Sequence, residues 1–182
     1  MLGVLAITAE YSTGMIRATL AAVPRRLPVL WAKAAVYAAV VFVLALPAVG
    51  AAFLVGQSIL AGRHIEIALS HPGVPRALVG AALYLTVIGV FGLGLGAIMR
   101  STAGGIAVFA AILFVIPPLT NVLPQSWQDA ADPYLPSNAG EAVFSLTGGP
   151  HTLRPWTGFA VLCAYTAVTL AVAAALLLRR DA

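Results

Sequence analysis

Few of the 182 residues are of the types and spacings that a catalytic or metal site needs. The histidines His64, His71 and His151 are isolated from one another, and the single cysteine, Cys163, stands alone in an apolar run. A zinc or iron site draws ligands from closely spaced pairs, so these read as loop and packing residues and no metal site is expected. Asp129 and Asp132 are three apart and suit one helical face as an acid pair. General acid–base work also needs a partner base or nucleophile, and none accompanies them, so they read as solvated loop acids. Gly89, Gly92, Gly94 and Gly96 imitate a nucleotide loop in letters alone. A phosphate cradle needs a strand before the glycines and Lys-Ser or Lys-Thr after them. Here Gly92 and Gly96 have instead the spacing that lets membrane helices approach closely, and Gly89, Gly92 and Gly96 are the expected helix-packing positions. The chain has no GxxxxGK followed by Ser or Thr. It is therefore expected to be no enzyme, to have no catalytic residue and to bind no cofactor, and any ATP-driven step would belong to another polypeptide.

The elements that hold these residues are set by composition. Hydrophobic residues make up 61% of the chain and charged residues 9%, against about 25% charged in soluble domains. With a mean hydropathy of +0.99, the apolar material exceeds what one water-excluded core can hold, and a bilayer must solvate the rest. A helix needs about 20 apolar residues to cross the hydrocarbon. Four stretches, 34–56, 77–99, 103–123 and 157–178, satisfy that without Asp, Glu, Lys, Arg or His. Backbone groups in lipid must be paired within the segment. The expected fold is thus all-α, a polytopic membrane helix bundle forming one domain over residues 1–182. Residues 1–9 are apolar but cover only ~14 Å as a helix, and no basic n-region marks them as a signal peptide. They read as the end of a further span.

The ten basic residues fall between these stretches. Arg17, Arg25, Arg26, Lys33, Arg100, Arg179 and Arg180 lie on one side and Arg63, Arg76 and Arg154 on the other. Basic residues collect on the cytoplasmic side, which places both chain ends there, as an even number of complete spans also requires. The net charge of +4 is then a topology signal with an anionic-lipid component, and no nucleic acid partner is expected because no basic face is interleaved with aromatics. Ion-coupled carriers place ionisable groups at mid-membrane, and these spans hold none. Pro47 and the Pro117-Pro118 pair predict kinks.

Two segments outside the spans are informative. In residues 10–33, Ser12 or Thr13 can cap a helix whose Met15, Ile16, Thr19, Leu20 and Val23 share one face before Pro24 ends it. Such an amphipathic cytoplasmic helix is either a tether lying on the membrane or a surface offered to a partner. Pro28 suits the first turn of the next span, with Trp31 as an interfacial anchor. On the outer side, the prolines of residues 124–156 exclude a continuous helix. Asn138 lies three before Glu141, a capping arrangement for a short helix through Ala142, Val143, Phe144 and Leu146. This helix is expected to be re-entrant, which requires protein around it, so the loop should pack over the mouth of the bundle.

Two of these stretches carry a resemblance. AEYSTGMIRATLAAVPRR at 9–26, followed by LPVLWAKAAV and a span, and YLPSNAGEAVF at 134–144 before the last span, resemble the ABC transporter permeases of the type-2 exporter group, notably the short actinobacterial forms. Those permeases have six spans, a cytoplasmic amphipathic element between the second and third, and re-entrant elements between the fifth and sixth. The chain matches the later two-thirds of that plan and would be N-terminally truncated, lacking the first span and most of the second. The resemblance implies that Glu10, Tyr11, Gly14 and Arg17, with Arg25 and Arg26 at the exit, contact a separate cytoplasmic ATPase that binds ATP and magnesium. It also implies a second permease subunit, identical or different, and a location in the plasma membrane. The rival readings are a membrane protein that sequesters or scaffolds a partner without transport and, disfavoured by its uncharged spans, an ion-coupled carrier.

Overall fold

The backbone of an apolar run in lipid has no water to bond, and helix is the outcome along nearly all of it. The computed structural model describes residues 1–12, 26–62, 68–120, 122, 124–146 and 152–179. Helix α1 covers Leu2–Ser12, α2 Arg26–Ala61, α3 Val74–Met99 and α4 Thr102–Thr120, while the short α5 (Gln125–Ala131) and α6 (Pro136–Glu141) precede α7 (Pro155–Arg179). The fold is all-α, and α2, α3, α4 and α7 are each long and apolar enough to cross a membrane.

Helices α2, α3 and α7 extend the expected spans in ways their terminal residues explain, while α4 ends at Thr120, three residues short of the expected 123. At 36 residues α2 is ~54 Å long. It begins eight residues before the apolar stretch because Pro28 falls in its first turn, where the backbone N–H has no helical partner to lose. Pro47 sits inside α2 without ending it. Gly73 precedes α3 in the left-handed region at φ 96°, with Pro75 in the first turn. At the other end Arg100 takes φ 52° and donates its N–H to the carbonyl of Gly96. Ser101 then accepts from the Gly104 N–H at 3.4 Å and caps α4, so α3 reverses into α4 within two residues. In α4, residues Ala111–Val115 form a π turn, and the Ile116 N–H reaches back five residues to Ala111. The prolines that follow, Pro117 and Pro118, have no N–H for the α-helical ladder, and the expected kink takes the form of this wide turn.

Helix α3 is the axle of the molecule. Its residues 88–97 are buried without interruption, because α1, α2, α4 and α7 all pack against it. One core layer joins Ile7, Leu30, Ala34, Leu93, Ala97, Leu170 and Leu177, and a second joins Val4, Phe91, Leu95, Phe109, Leu113 and Leu162. Helix α2 touches this core with a narrow stripe only. Its Val36, Val43, Leu44, Leu54, Val55 and Ile59 are exposed, the pattern of a helix whose solvent is lipid.

The segment after α5 closes one end of the bundle. Pro136, Ala139, Gly140, Ala142 and Val143 are buried, and the rings of Tyr84 and Phe144 pack 5.3 Å apart. The loop thus packs over the bundle as expected, but its helix starts earlier than Asn138 and ends at Glu141, so that Ala142, Val143 and Phe144 lie in a turn and Leu146 in a bend. Pro136 presets the first turn, Leu135 precedes it with extended backbone, and the Asn138 amide donates to the Asp132 carbonyl at 3.0 Å. Its side-chain oxygen accepts from the Ser137 hydroxyl at 3.3 Å. Asn138 therefore ties the helix to the preceding turn in place of capping its own N-terminus.

Candidate functional site

The two ends of the bundle differ in chemistry. At one, Glu10 near the end of α1 forms an ion pair with Lys33 in the third turn of α2, both side chains about three-quarters buried. About one turn before the end of α1, the Thr8 hydroxyl donates to the Val4 carbonyl at 2.9 Å and accepts from Thr102 of α4 at 3.0 Å. Arg100 and Arg179 end α3 and α7 close to the same level, since Leu177 shares a core layer with Ile7, Leu30 and Ala97. At the opposite end Arg76 of α3 donates to the carbonyls of Ser145 at 3.0 Å and Val143 at 3.5 Å. Charged side chains therefore fasten both rims, while the helices between are apolar.

Of the coupling residues expected from the sequence, Glu10 and Tyr11 lie in the last turn of α1 and Arg26 opens α2. Gly14, Arg17 and Arg25 lie outside the described residues, together with the apolar face of residues 15–23. The Glu10–Lys33 pair brings the end of α1 beside the first turns of α2. An apolar crevice of about 480 Å³ opens beside the pair, lined by Ala6, Glu10, Ala32, Lys33, Val36, Tyr37, Val40 and Leu93. Among the described residues no group of three or more His, Cys, Asp or Glu gathers as a metal site would require.

The helix-packing glycines sit where close approach is needed. Added to Gly96, a Cβ would meet Ile7 Cγ2 at 2.7 Å and the Val4 carbonyl at 3.1 Å. At Gly89 it would meet the Tyr37 hydroxyl at 2.6 Å, and at Gly92 the Phe109 ring at 3.1 Å. Gly94, read only as part of the run, faces Thr169 of α7 at 2.9 Å. Sequence reasoning missed four further glycines at close contacts. Gly3 faces the Gly89 carbonyl, Gly105 faces Val4, Gly80 faces the Val143 carbonyl and Gly158 faces that of Ala139. The available signal was small residues at facing ends of neighbouring helices, legible only once the neighbours are known. The roles of Lys33 as partner to Glu10 and of Arg76 as a latch were missed because both had been counted only as topology charges.

No family model, no curated protein and no solved structure matches the chain.

Proposed function

We propose that the chain is a membrane-spanning permease subunit of an ATP-driven, ABC-type exporter, and that it works with a separate cytoplasmic ATPase and a second permease subunit. The observation that carries this reading is the rim at Glu10. Two helices that pack on the same axle, α1 and α2, are clipped together by Glu10 and Lys33, and the segment between them bears the sequence resemblance. A partner pushing on residues 13–25 would act on both helices at once, and through them on α3. The spans place no Asp, Glu, Lys, Arg or His side chain at mid-membrane, where ion-coupled carriers usually hold one, which favours an energy source outside the bilayer. In this reading Glu10, Tyr11, Gly14, Arg17, Arg25 and Arg26 form the coupling surface, the basic rim faces the cytoplasm, and ATP and magnesium stay on the partner.

Co-purification in mild detergent tests the proposal. The tagged chain should retain an ATPase, and Glu10→Lys combined with Arg17→Glu should release it while membrane insertion is unchanged. Recovery without an ATPase even after crosslinking would instead favour a scaffolding protein that transports nothing.

A further inference from the structure

The crevice between α1 and α2 has a polar end and an apolar length, and nothing in the coupling role requires it. It runs from Glu10 and Lys33 past Ala6 and Val36 to Val40, with Leu93 of α3 at its floor. Along α2 that is seven residues, ~10 Å. Val36 and Val40 are 63% and 51% exposed, so the crevice opens sideways, where a bundle in a bilayer meets acyl chains. Trp31, half exposed two residues before Lys33, marks the interface depth at which headgroups lie. The Lys33 ammonium has three N–H donors, of which the contact with Glu10 Oε1 engages one. Among the described residues, Lys33, Arg100 and Arg179 lie at this end of the helices together with Glu10.

We infer that this crevice is a binding site for an anionic phospholipid, with one acyl chain along Val36 and Val40 and the phosphate on Lys33. A basic residue at the membrane interface attracts anionic headgroups. The apolar groove alone would take any lipid, and Lys33 supplies the preference. Glu10 competes with the phosphate for the same ammonium, so an anionic lipid loosens the clip that holds α1 to α2. The site needs no ATPase and stands or falls separately from the transport reading.

The test uses the purified chain in mild detergent, with thermal unfolding followed as phosphatidylglycerol, phosphatidylcholine or inorganic phosphate is added. Phosphatidylglycerol is expected to stabilise at about fivefold lower concentration than phosphatidylcholine, the size of one basic charge at an anionic surface. Glu10→Gln should enlarge that preference, and Glu10→Gln with Lys33→Gln, which removes both members of the pair, should abolish it. Val40→Trp, which narrows the groove and leaves the ion pair intact, should weaken both lipids. Equal response to the two lipids, a preference that survives loss of Lys33, or an unchanged response in Val40→Trp would overturn the site. A shift with inorganic phosphate as large as that with phosphatidylglycerol would also overturn it, assigning the effect to a free anion.

Discussion

A glycine in a helix exposed to lipid and one wedged between helices look alike in the sequence and respond oppositely to the same methyl group. Gly50 lies inside α2 with nothing within 4 Å of an added Cβ, so Gly50→Ala keeps every contact and removes a backbone entropy cost. A gain of about 0.5–1 kcal/mol is expected. At Gly96 the methyl would meet Ile7 and the backbone of Val4, and at Gly158 it would strike the Ala139 carbonyl. Backbone cannot rotate out of the way, so Gly96→Ala and Gly158→Ala should each cost about 1–3 kcal/mol, the range of overpacking. Reversible unfolding in mixed micelles measures all three. Equal stability of the Gly50 and Gly96 variants would mean that α1 does not approach α3 as described. The spacing of Gly92 and Gly96 made a close-packed helix face legible. It did not say which helix lies on that face, because spacing is a property of one element and contact of two.

At the scale of elements, the spans were legible because the thickness of the hydrocarbon sets a length that composition must meet, and α3 and α7 begin and end within three residues of the apolar stretches. Their junctions were less so. The length of α2 depends on Pro28 being harmless in a first turn, and the π turn of α4 depends on two prolines that by themselves predict only a bend. The cover at the α5–α6 end was expected from its prolines and short helix, but its fastening was not. That fastening is long in sequence, 67 and 69 residues from Arg76 to Val143 and Ser145, and no local pattern encodes it. Two charge-assisted bonds from a half-buried guanidinium contribute roughly 1.5–3 kcal/mol in such a setting. Arg76→Gln should therefore leave the spans intact and raise amide hydrogen exchange selectively over residues 136–145, by about tenfold for each 1.4 kcal/mol lost. Uniform loosening of α3 as well would mean that the cover and the axle unfold as one unit.

For the whole molecule, the distribution of charge and the direction of the helices constrain each other. The Glu10–Lys33 and Thr8–Thr102 contacts put the end of α1 and the starts of α2 and α4 at one level, and the bond from Arg76 to Ser145 puts the start of α3 and the cover at the other. Among the described residues, Arg26, Lys33, Arg100 and Arg179 lie at the first level and Arg76 and Arg154 toward the second, so the basic excess and the fold single out the same rim. Basic residues are retained on the cytoplasmic side during insertion, so this rim should face the cytoplasm. Single cysteines test that in a Cys163→Ser background, which removes the native thiol. Ala103, exposed in the first turn of α4, and Ser126, exposed in α5, lie at opposite levels and make no side-chain contact on which the fold depends. Ser126→Cys should react with a membrane-impermeant thiol reagent on intact cells, and Ala103→Cys only after the cells are opened. The reverse result would turn the molecule over and take residues 10–33 away from any cytoplasmic ATPase, while the packing around α3 would stand as described. Labelling of both positions from outside would mean that α4 does not cross, which its apolar length argues against.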